Sequence, residues 1–143
     1  MRRILLALVC AASVAGVAVA KSPAPEPTAT APEGRRLSGD EIQDRFAGSS
    51  FYGVFQSDGG EWAEQTTADG RVLDITNVAE IVGSWAVSGD KACYIYHQAP
   101  PAVVCYAMFE KNGNLLFYVA DTLKLNARTT KITRDPGTQP PKQ

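Results

Sequence analysis

The chain has 143 residues, 14 Lys and Arg against 15 Asp and Glu, and a formal charge of −1. That balance, with no basic stripe, excludes a partner bound through nucleic-acid phosphates, and 45 % hydrophobic residues exclude disorder throughout. One domain of modest core is expected, with little room for a deep catalytic cleft.

Met1-Arg2-Arg3 is a positive start, Ile4 to Val19 is almost wholly apolar, and Ala18-Val19-Ala20 is the small-x-small pattern that a signal peptidase accepts. Residues 1–20 therefore read as a secretory signal cleaved before Lys21. The apolar run of about 16 residues is short for a membrane span, which needs about 20, so no transmembrane segment is expected after cleavage. Cys10 lies inside that run behind Val9, the wrong place and the wrong neighbour for a lipid anchor. The arginines run straight into the apolar stretch, which suits ordinary Sec export to the periplasm or the medium. Residues 21–36 form a Pro/Ala-rich linker, with Pro23, Pro25, Pro27 and Pro32 favouring an extended tether. Residues 135–143 read as a disordered tail, which leaves 37–134 as a single β domain.

That domain opens on Leu37-Ser38-Gly39-Asp40-Glu41-Ile42. Ser38 is an N-cap with Glu41 three residues on, a capping box, and Leu37 and Ile42 occupy the staple positions. Ile42 and Phe46 then share a face and Gly48 supplies the stop, so a helix is predicted over 39–47. It is too short to be stable unless it packs on something.

From Ser49 the hydrophobic period changes from 3.6 to 2. Strands are predicted at 50–56, 61–67, 71–76, 81–88, 91–98, 102–110, 115–121 and 123–133. Asp58-Gly59-Gly60, Asp69-Gly70, Gly89-Asp90 and Asn112-Gly113-Asn114 separate them, and these residues tolerate the positive φ of tight hairpins. The expected fold is mainly β: an antiparallel meander of seven to eight strands curled into a half-barrel or small barrel, with the helix packed on it. Ile81, Gly83, Trp85 and Val87 are assigned to the core face of their strand.

With the signal removed, Cys93 and Cys105 remain as an even pair in an oxidising compartment. A hairpin centred on Ala99 sets Cys93 against Cys105 and Ile95 against Val103, within disulfide reach. Chain-entropy reasoning gives such a bridge about 3 kcal/mol. His97 is the one histidine, so no Cys/His metal site can be assembled, and at a hairpin end it reads as a rim residue rather than a general base. Asp58, Glu61, Glu64, Asp69 and Asp74 read as solvated turn and strand residues, although paired carboxylates could in principle serve a small hydrolase. No phosphate loop, nucleophile elbow or cofactor motif is present in the sequence.

Tyr94, Tyr96 and Tyr106 project from the face opposite the cysteines, with Met108 near them. Two readings stay open: an exposed binding surface, or a second core beneath the helix. The facing of Tyr118 depends on whether the turn at Asn112 has two residues or three.

The order Leu-Ser-Gly-Asp-Glu-Ile at 37–42, Tyr52-Gly53, Asp69-Gly70, Gly83-Ser-Trp85-Ala-Val87-Ser-Gly89-Asp90, and Cys93 with Cys105-Tyr106 resembles small exported proteins of unknown function from Gram-negative, notably alphaproteobacterial, species. The resemblance implies a periplasmic β domain with one helix and transfers no catalytic residue. A looser calycin-like resemblance, which includes barrel-type inhibitors of secreted hydrolases, rests on architecture alone.

The expected function is a non-enzymatic, envelope-associated binding domain without cofactor or metal, its partner an unidentified protein or small molecule. A small hydrolase using the carboxylates, a barrel carrying a small apolar ligand, and a hydrolase inhibitor are the alternatives. Intact-mass analysis of exported protein is expected to show a chain beginning at Lys21 with no alkylatable thiol before reduction. A retained leader or two free thiols would contradict both expectations.

Overall fold

Turns that fold each strand straight back onto the last decide the architecture. A computed structural model describes residues 31–134; the expected signal peptide, the expected linker up to residue 30 and the expected tail from 135 lie outside the described residues. In chain order the elements are β1 (Arg35–Arg36), α1 (Gly39–Phe46), β2 (Ser49–Phe55), β3 (Glu61–Thr66), β4 (Arg71–Asp74), β5 (Glu80–Val87), β6 (Ala92–Tyr96), β7 (Ala102–Lys111), β8 (Asn114–Val119) and β9 (Lys124–Arg134). Strands β2 to β9 pair antiparallel in sequence, and β2 also pairs with β9, so the sheet closes into an eight-stranded barrel. Closure leaves these strands no long free edge on which another chain could add. The last two residues of the predicted linker are a correction: Arg35 and Arg36 pair with Glu110 and Phe109 as a short strand.

Alternation along each strand sorts residues into a filled lumen and an outer face. Phe51, Val72, Trp85, Tyr94, Met108, Leu115, Phe117 and Ala127 point inward with Phe46 and form one core. Ile81, assigned to the Trp85 face, is instead 48 % exposed. The β4–β5 register slips between Val72 and Leu73, and Val82 packs on the core in its place. Lys111 pairs with Asn114, a two-residue turn that sends Tyr118 to the outer face. There it packs edge-on against Phe109 at 5.1 Å, and its hydroxyl accepts a hydrogen bond from the Glu33 N–H.

Helix α1 seals one end. Its N-terminus has the predicted capping box, with the Ser38 N–H donating to Glu41 at 2.9 Å and the Glu41 N–H to Ser38 Oγ at 3.3 Å. Asp90, from the β5–β6 turn, accepts the Gly39 N–H at 2.8 Å and fixes the helix to the barrel. Phe46 is fully buried and its ring lies 4.8, 5.6, 6.5 and 6.1 Å from those of Phe51, Trp85, Tyr94 and Phe117. Below it the buried Thr66 hydroxyl donates to the Phe46 carbonyl, satisfying a helix-end acceptor. Among the described residues no helix is long and apolar enough to cross a membrane.

Phe46→Ala is expected to lower unfolding free energy by about 3–5 kcal/mol, the range for emptying a core aromatic site. Ser38→Ala should cost about 1 kcal/mol through the lost cap. Denaturant midpoints measure both, and an unchanged midpoint for Phe46→Ala would mean that the helix does not plug the barrel.

Candidate functional site

The end opposite the helix is open. It is formed by the end of β2, the start of β3, the ends of β4, β6 and β8, the starts of β5, β7 and β9, and their loops. Alternation on β3 turns Trp62, Glu64 and Thr66 inward, because their partners Gly53, Phe51 and Ser49 face the same way. Thr66 supports the helix, whereas Trp62 and Glu64 look toward the mouth. Glycine at 53 is required here, since a Cβ there would lie 2.6–2.7 Å from the Trp62 indole. The indole can thus lie flat over the β2 backbone, edge-on to Phe117 at 5.6 Å and beside Phe55 at 6.3 Å.

A small cavity of about 40 Å³ opens in this mouth, lined by aromatic rings with Glu64 and Asn126. One water needs about 10–15 Å³, so the cavity has room for two or three waters or the tip of one side chain. Its polar groups are few. The Tyr96 hydroxyl donates to both Glu64 carboxylate oxygens, at 3.1 and 3.3 Å, and Asn126 Nδ2 donates to the Tyr106 hydroxyl at 3.2 Å. Trp62 Nε1 is buried and is without a partner among the described residues. A buried N–H left unpaired costs about 1–3 kcal/mol, so this donor is a group to be explained.

Burial pushes the Glu64 carboxyl up to about 7; the Tyr96 hydrogen bond opposes this and the Asp74 charge adds to it. Glu64 and Asp74 stand directly opposite one another on β3 and β4. Asp74, at the rim, is held below the usual carboxylate range by the Thr76 N–H, which donates to it at 2.7 Å. Burial holds the Tyr96 phenol protonated. Among the described residues no Lys or Arg nitrogen comes within the 4.0 Å of an ion pair with Glu64.

Each residue singled out in the sequence has a definite place. Cys93 and Cys105 are directly opposed, with Cα atoms 4.0 Å apart, and form a disulfide on the outer face. Tyr94, Tyr96 and Tyr106 do face away from it, but neither reading of them is right as framed. Trp85 pairs with Tyr94, so the tyrosine face and the Trp85 face are one surface, the lumen. Tyr94 is the buried floor against Phe46, and Tyr96, stacked on it at 5.8 Å, leads with Tyr106 to the mouth. His97 is exposed just beyond β6.

Four of the five carboxylates, Asp58, Glu61, Glu64 and Asp74, stand toward the mouth end, and Asp69 does not. Asp69 lies in the turn at the sealed end, paired with Arg71, and Asp58 accepts the Gly60 N–H of its own turn at 2.8 Å. Glu64 is a correction, because it is inside the barrel rather than solvated. Grouping the acids by proximity in sequence hid it; its i, i+2 relation to Trp62 was the signal that could have found the site. Among the described residues no group of His, Cys, Asp and Glu could hold a metal ion.

The two ends also differ in surface. Phe55, Val78, Ile81, Ile95, Val103 and Leu123 are exposed, Val78 at 84 % and Val103 at 69 %, and all lie at or near the mouth end. Comparison with family models, with curated proteins and with solved structures finds no match.

Glu64 also gives the fold a pH dependence. Its folded carboxyl titrates at about 7 against an ordinary 4.5, so the native state holds the proton over that window. Stability is therefore full below the ordinary value and declines as pH rises toward 7, by on the order of 3 kcal/mol if this group acts alone. Glu64→Gln, which keeps an acceptor for Tyr96, is expected to remove that decline in denaturant midpoints measured from pH 4.5 to 8. A mutant with the same slope as wild type would show that another group is responsible.

Proposed function

We propose that this protein is an exported, non-enzymatic binding domain of the cell envelope whose recognition end is the barrel mouth. The observation that carries the reading is the mouth itself: a small aromatic cavity lined by Trp62, whose buried indole N–H is unpaired among the described residues, and by Glu64, a largely buried acid with no Lys or Arg partner among them. Groups that cost stability in the free protein and belong to residues lining a cavity are of use when a ligand completes them. The exposed apolar side chains around it supply contact area, and the disulfide holds the β6–β7 hairpin that carries all three tyrosines. Export is supported by residues 1–20 and by the oxidised cysteine pair.

A carrier of a small apolar molecule fits less well. Ligand pockets run to about 300–1,000 Å³, and here the lumen is filled by Phe46, Phe51, Trp85 and Phe117. A hydrolase has one observation in its favour, the opposed Glu64 and Asp74 with acidities moved apart. The cavity beside them is smaller than a sugar ring, which favours binding over turnover.

Capture of envelope proteins by the tagged, exported protein separates the ends. Val78→Asp and Leu123→Asp at the mouth are expected to weaken capture about tenfold with unchanged stability, as loss of interface contacts does. Gln43→Ala on the helix should leave it intact. Capture lost through Gln43→Ala, or turnover of chromogenic glycosides lost in Glu64→Gln, would replace this reading.

A further inference from the structure

We infer that the mouth is built to receive a basic protein, one of whose Lys or Arg side chains enters the aromatic cavity and pairs with Glu64 while apolar neighbours rest on the rim. This rests on the mouth being the binding end and adds the chemistry of the partner.

Four observations converge. Glu64 is a largely buried carboxylate whose one hydrogen-bond donor among the described residues is the Tyr96 hydroxyl. Such a carboxylate has unused acceptor capacity, which a positively charged donor fills best. Around it Trp62, Tyr96, Tyr106 and Phe55 present ring surface, and aromatic faces attract cations most strongly where water is excluded. The cavity, about 40 Å³, matches the head of one side chain rather than a whole small molecule.

The charge layout points the same way. Asp58, Glu61, Asp74, Glu80 and Asp121 stand at the strand ends and loops of the mouth, against Lys124 and Arg128, the latter in line with Glu61 across Val54. Arg35, Arg45, Arg71 and Arg134 lie toward the sealed end, each paired with a carboxylate. The molecule is nearly neutral overall yet negative at its open end, a field that steers a basic partner to the mouth. The exposed Phe55, Val78 and Leu123 then meet the apolar surface that flanks the entering side chain.

Tyr94, Tyr96 and Tyr106 from β6 and β7 and Asp74 from β4 are the titratable groups that face Glu64. Only Glu64 among them changes charge near neutral pH, and a cation requires its ionised form. Affinity for a basic group should therefore rise as pH rises, by about tenfold between pH 6 and 8.

The test uses the processed chain and four capped tripeptides: Leu-Lys-Leu, Leu-Arg-Leu, Leu-norleucine-Leu and Leu-Glu-Leu. The sequence has two Trp, so NMR shows two indole N–H signals. Trp62 Nε1 reports the mouth, and Trp85 Nε1, which donates to the Thr67 carbonyl at 2.9 Å at the sealed end, is the internal control. The expected result is a saturable shift of the Trp62 signal alone with the two basic peptides. It should tighten with pH, weaken in salt, and weaken at least about tenfold in Glu64→Gln.

Equal binding of the norleucine peptide, or binding untouched by Glu64→Gln, overturns the cation inference while the mouth remains the binding end. If no peptide shifts Trp62, the inference falls, and the mouth reading falls with it only if Val78→Asp also leaves capture unchanged. A Trp62 shift produced by phosphatidylcholine vesicles but by no peptide would overturn it in favour of a membrane surface.

Discussion

Phe46 meets a ring from each of four strands, β2, β5, β6 and β8, and that one insertion decides which end of the barrel can act. A closed eight-stranded meander has two equivalent openings and a lumen that side chains must fill. The helix resolves both problems together. Its single apolar stripe, Ile42 and Phe46, goes into one opening, and its ends are tied by Asp90, Thr66 and the Ser38–Glu41 box. An eight-residue helix has little stability of its own, so the barrel holds the helix as much as the helix seals the barrel. With that end closed, the lumen communicates with solvent through the other.

At the mouth the local rules that hold elsewhere are broken twice. Among the described residues an acid is largely buried without a cation, and an indole N–H is buried without an acceptor. Each works against folding, and the acid is not forced by the chain, since Gln at 64 would fill nearly the same space. Departures from local consistency that come together at one end of the barrel, two residues apart on one strand, are what a functional site leaves in a structure. The glycine at 53 strengthens the point, because it gives up a side chain on β2 so that Trp62 can occupy its present position.

The disulfide belongs to the same division of labour. Cys93 and Cys105 face outward, so the bridge takes no volume from the lumen, while it clamps the hairpin whose inner face carries Tyr94, Tyr96 and Tyr106. The tyrosines form a column from floor to mouth, the lowest against Phe46 and the upper two hydrogen-bonded to Glu64 and Asn126. Rigidity at the sealed end is thereby carried to the rim, and a preorganised rim loses less entropy on binding.

Much was legible in the sequence because it is encoded locally. The capping box, the helix length, eight strands to within a few residues, and the Cys93–Cys105 opposition follow from hydrogen-bonding capacity, positive-φ turn residues and two-residue alternation. The strand β1 and the slip at Ile81 were not legible, since pairing partners and bulges are set by chain segments far apart. The site was half visible: the tyrosines could be assigned to one face, but alternation says only that two faces exist, not that closure makes one of them an interior. Glu64 shows the difference most sharply. By composition it is one acid among several near turns, and only the curvature that brings β3 against β6 takes it out of water and beneath Tyr96. Burial and charge depend on what surrounds a residue in three dimensions, so the local order was determined by the sequence read alone, whereas the environment of the acid was decided by the closed barrel.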